Sequence, residues 1–297
     1  MKDKKTGFTI VELLTTISII AILIAVLLPS LAMVRKMAKE TKQKAQITTI
    51  GLALMAFKND QGDYPPSERT ILPPVPIYAG AQKLAEALLG RDLLGFHPDS
   101  DWDVTNDEFY PDPANQALLE ASLEKRRGLY LELGTASAFK LEQLFNDASP
   151  LEPDTYVLCD TFGVRQLKLA SGTSVKAGTP ILYYRANTSS KNMEDTDLRK
   201  RIYNANDNQQ LIELGVLTKS GVDDSGTLKH PLGWGNSTDN FYQVQYTYDT
   251  DKTGYGIIDP KIKEATNLDW PYRPDSYILI SAGADGLYGT KDDITNF

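Results

Sequence analysis

The sequence opens with Lys2-Asp3-Lys4-Lys5-Thr6-Gly7-Phe8-Thr9-Ile10-Val11-Glu12, and this stretch decides how the rest of the chain is interpreted. The basic leader ends at Gly7, and an apolar run follows it as far as Leu28. About twenty helical residues rise ~30 Å, which is roughly the thickness of a bilayer core. The run therefore predicts a membrane-spanning helix. Glu12 is the exception within it, because a lone carboxylate in an apolar segment is costly and marks a candidate functional site.

A removable signal peptide is the alternative interpretation of this segment. Such a peptide shares the basic start and apolar centre but ends in small residues at a cleavage site. Here the run passes instead through Pro29 into a charged amphipathic segment, with no such site after it. An uncleaved anchor is therefore preferred. Pro29 lacks the N–H of a helical hydrogen bond, so we expect a kink or local melting there.

Residues 4–13 resemble the class III signal of type IV pilins and type II secretion pseudopilins. The resemblance implies that a prepilin peptidase cuts between Gly7 and Phe8 on the cytoplasmic side, and that Phe8 is then N-methylated. It places Glu12 at the fifth mature position, where the family carries a near-universal glutamate. Pro29 matches the helix-kinking proline of the family.

Glu12 is a natural counter-charge for the amine that cleavage would create at Phe8. In a filament this amine would belong to a neighbouring subunit, and the pair would fix the axial stagger between subunits. Removal of one partner would leave the other charge unpaired, typically at a cost of a few kcal/mol. The alternative is that Glu12 merely lies in the headgroup region of the membrane.

The distribution of basic residues gives the opposite orientation from the family resemblance. Three lysines precede the apolar run, whereas five basic residues follow it within residues 35–44. Counted alone, this pattern favours a cytoplasmic carboxyl-terminal side. The resemblance instead implies a single pass through the inner membrane, with the carboxyl-terminal domain in the periplasm or in a cell-surface filament. We adopt the orientation of the family.

Composition excludes several classes of protein. The 297 residues carry a net charge of −8, with a sequence pI of about 4.9, which disfavours nucleic-acid binding. Cys159 is the single cysteine and cannot form an intrachain disulfide; its apolar strand context predicts a packed core thiol. Both histidines, His97 and His230, precede proline and are predicted in loops. No nucleotide-binding or hydrolase motif occurs in the sequence, so we expect no enzyme.

The pattern along the chain predicts an α+β, pilin-like fold in which one long helix packs on an antiparallel sheet. Apolar residues at Ile47, Ile50, Leu54 and Phe57 continue the helix to about Lys58. Further helices are expected at 81–89 and 114–125, the latter capped by Asp112 or Asn115. Predicted strands lie at 155–160, 180–185, 243–248 and 277–281. The predicted divisions are a leader at 1–7, a transmembrane and assembly helix at 8–30, and a domain at 31–297 with a polar insertion at about 187–238.

A glycine- and aspartate-rich loop closes the chain at residues 281–294. Ca²⁺ prefers several oxygen ligands from carboxylates and carbonyls, and glycines allow a backbone to turn carbonyls inward. The loop also resembles the calcium site of major pseudopilins. Its predicted ligands are the carboxylates of Asp285, Asp292 and Asp293 and the carbonyls of Ala282 and Leu287. The alternative is a plain acidic turn between strands.

These observations predict a structural subunit that polymerises through its amino-terminal helix into a periplasmic pseudopilus or a pilus serving type II protein secretion. The expected partners are further copies of the chain, other pseudopilins, the prepilin peptidase and the inner-membrane secretion and assembly machinery. A second hypothesis is a membrane-tethered module that binds an extracellular glycan or protein through the insertion. A tethered hydrolase has the least support from the residues.

Overall fold

The computed structural model describes residues 9–69, 76–168, 172–191, 198–219, 221–223, 227–233, 257–267 and 270–297. Gly7, Phe8 and the predicted strand at 243–248 lie outside these ranges. The chain divides into two compact units, residues 1–42 and 43–297. The α+β fold that the sequence predicts is confirmed, since a long apolar helix is followed by short helices and small antiparallel sheets.

The first helix, α1, spans Ile10–Gln61 and contains 52 residues. It ends three residues beyond the predicted limit at Lys58. The helix is continuous through Pro29, so local melting is not observed at this position. Its buried residues all lie at or beyond Gln43.

Within the second unit, the predicted apolar stripe of α1 is buried. Ile47, Ile50, Leu54 and Phe57 are each no more than 3% exposed and belong to one hydrophobic cluster with side chains of later elements. That cluster includes Leu84 and Leu88 of α2, which spans Gly80–Leu89. Burial of each large apolar side chain stabilises the fold by about 1.5–3 kcal/mol. The buried stripe therefore stabilises the packing of this carboxyl-terminal part of α1 against the rest of the domain.

Two glutamines of α1 are also buried, which the apolar pattern did not indicate. Gln46 donates from Nε2 to the Cys159 carbonyl at 3.0 Å. Gln43 accepts the Thr161 N–H on Oε1 at 2.7 Å. Both hydrogen bonds join the helix to the backbone that follows strand β2 (Tyr156–Leu158). Each buried amide therefore has one atom paired, whereas Nε2 of Gln43 and Oε1 of Gln46 are buried without a hydrogen-bond partner.

Among the residues that the structure describes, four short helices follow α2 up to residue 213, and another lies at residues 260–266. They are α3 (Gln116–Lys125), α4 (Leu133–Ala136), α5 (Leu141–Leu144), α6 (Gln209–Glu213) and α7 (Pro260–Thr266). The side chain of Asn115 accepts the Leu118 N–H at 3.4 Å, so Asn115 is the cap of α3, one of the two residues proposed. Short 3-10 turns occupy Leu198–Lys200, Ala205–Asp207 and Pro231–Gly233.

The described strands form four small antiparallel sheets. The remaining strands are β1 (Ala138–Lys140), β3 (Arg165–Lys168), β4 (Ser174–Ala177), β5 (Leu182–Arg185), β6 (Val216–Leu217), β7 (Val222–Asp223), β8 (Tyr277–Ser281) and β9 (Ile294–Thr295). Strand β1 pairs with β2, β3 with β4 and β6 with β7, while β5, β8 and β9 form a three-stranded sheet in that order. A bridge between Cys159 and Pro180 joins the end of β2 to the start of β5.

The segment predicted as a polar insertion contributes apolar side chains to the domain. Ile202, Tyr203 and Leu211 are each no more than 2% exposed. They belong to a second hydrophobic cluster that also contains Tyr184 of β5 and Ile278 of β8. The described part of this segment is therefore built into the core, which its polar composition did not reveal.

Candidate functional site

The helix that carries the predicted assembly residues begins with a side-chain cap. Thr9 donates to Oε2 of Glu12 from its backbone N–H at 2.9 Å and from its hydroxyl at 2.7 Å. The Glu12 N–H donates back to the Thr9 hydroxyl at 3.2 Å. This reciprocal arrangement is a capping box, whose signature is a threonine followed three residues later by glutamate. The sequence Thr9-Ile10-Val11-Glu12 carries this signature, so the cap could have been predicted from it.

The surface of the first unit suits an apolar environment. Among the described residues, one helix is long and apolar enough to cross a membrane, and none of its apolar window is buried within the protein. Its hydroxyls are satisfied internally, as when Thr16 donates to the Leu13 carbonyl at 2.8 Å and Ser18 to the Leu14 carbonyl at 2.8 Å. Such bonds lower the cost of placing hydroxyls in lipid. These features are consistent with a single-pass membrane anchor.

The predicted calcium loop connects β8 to β9 and is closed by a tight backbone approach. Gly283 has a φ of 68°, and a Cβ atom there would lie 2.1 Å from the Asp292 carbonyl oxygen. Only glycine fits this position without displacing backbone. The approach brings the two ends of the loop together and places Asp285 close to Asp292. The clustering of these two predicted ligands is therefore observed.

The Asp292 carboxylate organises the loop from within. Its Oδ2 accepts the backbone N–H groups of Ala284 at 2.8 Å and Asp285 at 3.0 Å. Its Oδ1 accepts the Thr290 hydroxyl at 2.6 Å. Asp285 in turn accepts the Leu287 N–H on Oδ1 at 2.8 Å. Most of the carboxylate oxygens of Asp285 and Asp292 therefore already accept hydrogen bonds from N–H or O–H groups.

Asp293 differs from the other two aspartates because one of its oxygens is buried without a partner. Its Oδ2 accepts the Gly289 N–H at 2.8 Å, whereas Oδ1 makes no hydrogen bond. Burial raises the pKa of the Asp293 carboxyl well above its usual value. A buried unsatisfied carboxylate oxygen is destabilising. It is also the type of atom that a bound cation satisfies.

Asp285 and Asp292 interact closely enough for their protonation to be linked. Burial, followed by the hydrogen bond and charge of Asp292, raises the pKa of Asp285. Burial also acts to raise the pKa of Asp292, but the hydrogen bonds that it accepts from Thr290, Asp285 and Ala284 lower it overall. Two adjacent carboxylates of this kind favour a shared proton or a cation between them.

The loop fits Ca²⁺ in the chemistry of its donors but is not a preformed cage. The predicted ligands Asp285, Asp292, Asp293, Ala282 and Leu287 offer oxygen atoms only, as Ca²⁺ requires. Among the described residues, no group of three or more His, Cys, Asp or Glu side chains is arranged to hold a metal ion. The Leu287 carbonyl accepts the Thr290 hydroxyl at 3.3 Å. Ion binding would therefore require some of these internal hydrogen bonds to open.

Next to this loop lies a contact that sequence reasoning missed. His230 lies outside the helices and strands, as its proline neighbour predicted, but it is only 5% exposed. Its Nδ1 accepts the Tyr288 N–H at 3.1 Å, and the Tyr288 carbonyl accepts the Leu232 N–H at 3.1 Å. The rings of His230 and Tyr288 lie 4.7 Å apart. Burial lowers the pKa of His230 to about 4, so the imidazole is neutral near pH 7.

Cys159 and Pro29, which the sequence also singled out, lie in structural positions. Cys159 is fully buried, and this burial raises the pKa of its thiol well above the usual value, as a packed core thiol requires. Pro29 lies within α1. The predicted cleavage between Gly7 and Phe8 stays a prediction, because both residues lie outside the described ranges.

Comparison with known proteins identifies the amino-terminal segment alone. Residues 2–28 match the family described as prokaryotic N-terminal methylation motif. The curated proteins and the solved structures contain no significant match to the chain. The match covers the leader, the predicted cleavage position and Glu12. It supports a type IV pilin-like signal, which implies processing by a prepilin peptidase, and it favours a structural role over an enzymatic one.

Proposed function

We propose that the chain is a structural subunit of a pseudopilus or pilus that serves type II protein secretion. Prepilin peptidase would release the leader, and the mature chain would polymerise through α1 with further copies and with other pseudopilins. Its assembly would depend on inner-membrane secretion machinery. The domain at 43–297 would project into the periplasm or lie on a cell-surface filament. We assign it no catalytic role.

The observation that carries this proposal is the surface of α1 between Ile10 and Leu28. These residues are exposed along the helix, and Glu12 is the one carboxylate among them. A helix of this kind is stable in a membrane or against other copies of itself. The methylation motif that covers it supports a subunit that would leave the first environment for the second.

Electron microscopy of sheared surface material tests the proposal directly. The wild-type chain should yield filaments, whereas Glu12→Ala should remain in the membrane fraction without assembling. Glu40→Ala is a matched control, because it removes a partly exposed carboxylate from the same helix, where Glu40 pairs with Lys36 at 3.8 Å. Normal filaments from the Glu12→Ala chain would refute the proposal.

Calcium binding by the aspartate loop is a second part of the proposal. The support comes from the unpartnered Oδ1 of Asp293 and from the adjacent carboxylates of Asp285 and Asp292. A divalent cation would satisfy the first and would offset the repulsion between the two carboxylates of the second pair. Ala282 and Leu287 would add carbonyl oxygens. Bound ion would stabilise the folded state by mass action.

A calcium titration of the melting temperature tests this part independently of filament assembly. Added Ca²⁺ should raise the melting temperature of the purified chain, and a chelator should lower it. Asp285→Ala should reproduce the effect of the chelator, whereas Asp275→Ala, an exposed carboxylate outside the loop, should not. A melting temperature that is independent of Ca²⁺ would exclude the site.

A further inference from the structure

A basic group of side chains follows the apolar part of α1, within the unit at 1–42. Glu40 is the one acidic residue between Glu12 and Asp60, so positive charge prevails in this stretch. By the positive-inside rule this charge opposes the orientation adopted above, so orientation does not account for it. The members of the basic group are all exposed, and they are Arg35, Lys36, Lys39 and Lys42.

Ion pairing within the helix offsets only a small part of this charge. Lys36 and Glu40 lie 3.8 Å apart, and the Lys36 side chain is 61% exposed. An exposed pair at this spacing contributes little, because water screens both charges. A single carboxylate also offsets only one of the four positive charges of the basic group. An anionic surface beside this part of α1 would therefore meet a net positive charge.

The basic group and nearby apolar side chains occupy opposite faces of the helix. Arg35, Lys39 and Lys42 follow the i, i+4, i+7 spacing, which places them on one face of α1. Met33 and Met37 lie on the opposite face, where they are 67% and 59% exposed. A helical stretch with one basic and one apolar face is typical of the boundary between lipid and water.

The basic group begins close to the end of the apolar run at Leu28. Arg35 and Lys42 follow Leu28 by rises of ~10 and ~21 Å along the helix. The headgroup region on one side of a bilayer is ~5–8 Å thick. In a helix the side chains lean toward the amino terminus, which here is the side of the candidate membrane span. Long basic side chains can reach headgroups in this way, and their field extends about 8 Å further at physiological ionic strength.

We propose that the basic group binds the headgroups of anionic phospholipids, so that the anchored subunit prefers an acidic bilayer surface. The proposal rests on the membrane anchor of the proposed function and does not require filament assembly. Basic clusters next to a membrane span attract acidic lipids through charge, with a gain of roughly fivefold for each Lys or Arg near the surface.

The alternative partner is a second copy of the chain, since residues 43–297 contain more acidic than basic residues. The bilayer surface is favoured because the basic group directly follows the candidate membrane span. In the anchored chain, headgroups therefore lie beside these side chains without any further encounter.

Electron spin resonance of the full-length chain in vesicles tests the proposal. The vesicles contain equal amounts of phosphatidylglycerol and phosphatidylcholine, and a trace of one or the other lipid carries the spin label. The fraction of labelled lipid that the protein immobilises gives its preference for phosphatidylglycerol. Replacement of the whole basic group by glutamine should lower this preference about fivefold or more. About 1 M NaCl should also lower the wild-type preference, because the Debye length falls to ~3 Å.

Matched variants separate the position of the charge from its amount. The leader lysines are the same in every variant, so differences between variants report on the basic group. A variant in which Lys36, Lys39 and Lys42 are all arginine keeps the charge and should keep the preference. A control variant that loses four exposed basic residues of the other unit should keep it too; its changes are Lys125→Gln, Arg127→Gln, Lys168→Gln and Lys261→Gln.

Several outcomes would overturn the proposal. They are a wild-type preference that does not respond to salt, an unchanged preference in the glutamine variant, and an equal loss in the control variant. Loss of filaments with an unchanged lipid preference would identify a second copy as the partner instead. If the glutamine variant does not insert, the salt dependence of the wild-type chain decides. Release of the wild-type chain from vesicles by alkaline carbonate would refute the anchor itself, and this proposal with it.

Discussion

The carboxylate of Glu12 caps α1 and is proposed to pair with a neighbouring subunit, and the two roles do not compete for the same atom. Both hydrogen bonds from Thr9 end on Oε2, so the capping box uses one side of the carboxylate. Oε1 remains available to a positive amine of a neighbouring subunit. If Glu12 only caps its own helix, a change at Thr9 should remove its effect on assembly. If Glu12 pairs across subunits, the same change should leave assembly intact. The capping partner thus provides a way to separate the two roles.

We expect Thr9→Ala to retain filament assembly. The change removes the hydroxyl of the cap, which typically costs about 1 kcal/mol of helix stability, but it keeps the charge of Glu12. Glu12→Ala removes both the cap and the charge. Filament yield and membrane content should be measured for the two variants side by side. Equal loss of filaments in both would mean that Glu12 acts through the cap and not through pairing.

Asp160 gives the domain a dependence on pH whose direction follows from its burial. Burial raises its pKa from 3.8 to about 7, against hydrogen bonds from the Phe162 and Thr179 backbone and the Ser281 hydroxyl that lower it. The folded state then binds a proton more tightly than the unfolded state does. The contribution of Asp160 to stability is therefore greatest below pH ~4, falls as pH rises to about 7, and levels off above that value.

Asp160→Asn should remove this part of the pH dependence. Asparagine can still accept the Phe162 N–H, at 3.0 Å in the wild-type chain, and it carries no charge to bury. Chemical denaturation at several pH values between 4 and 8 should show a flatter curve, with a difference on the order of a few kcal/mol at the alkaline end. Asp275→Asn, at an exposed position, should follow the wild-type curve. A parallel curve for Asp160→Asn would contradict the assignment.

Among the elements, the segment at 230–232 depends on the aspartate loop for its position. Two hydrogen bonds link it to Tyr288: the Tyr288 N–H donates to Nδ1 of His230, and the Leu232 N–H donates to the Tyr288 carbonyl. Tyr288 lies between the proposed carbonyl ligand Leu287 and Gly289, the residue that donates to Asp293. On its other side, His230 contacts the Gly215 carbonyl through Nε2 at 3.4 Å. A change in the loop should therefore reach this segment.

Hydrogen exchange measures this dependence amide by amide. Asp285→Ala, or a chelator if the loop binds Ca²⁺, should reduce the protection of both the Tyr288 and the Leu232 amides, because one opening event exposes them together. The Tyr130 amide, which donates to the Leu88 carbonyl at 3.0 Å, serves as the control and should not change. Loss of protection at Tyr288 with an unchanged Leu232 amide would show that the two elements are independent.

The elements that the sequence predicted are those with strong local signals. The spacing of Ile47, Ile50 and Leu54 predicted α1, and Asn115 was one of two proposed caps of α3. The aromatic and β-branched run predicted β8 at the residues where it occurs. Strands of two residues, such as β6 and β7, have no period to detect, and their position depends on partners elsewhere in the chain.

The sequence was enough to predict the composition of the aspartate loop, but it was not enough to predict the geometry of that loop. Glycines and aspartates indicated an ion-binding loop, yet the approach of Gly283 to Asp292 and the unpartnered oxygen of Asp293 arise from tertiary packing.

At the scale of the whole molecule, the buried residues define where the domain begins. The buried residues of α1 start at Gln43, and both hydrophobic clusters consist of residues beyond that point. Residues 10–42 contribute apolar surface without contributing to either cluster. The free energy that folds the domain should therefore come from residues 43–297, whereas the preceding segment carries the candidate membrane span and the methylation motif.

A pair of truncations tests this division. A chain of residues 43–297 should be soluble and should melt cooperatively within a few degrees of the full-length protein, because it retains Gln43, Gln46 and the complete stripe. A chain of residues 51–297 loses Ile47 and Ile50, worth about 1.5–3 kcal/mol each, together with the hydrogen bond from Gln46 to Cys159. Losses of this size approach the total stability of a typical domain, so the shorter chain should unfold or aggregate.

Circular dichroism melting curves distinguish the two truncated chains. Failure of the 43–297 chain to fold, under conditions where the full-length protein is folded, would mean that the amino-terminal segment takes part in folding and is more than an anchor.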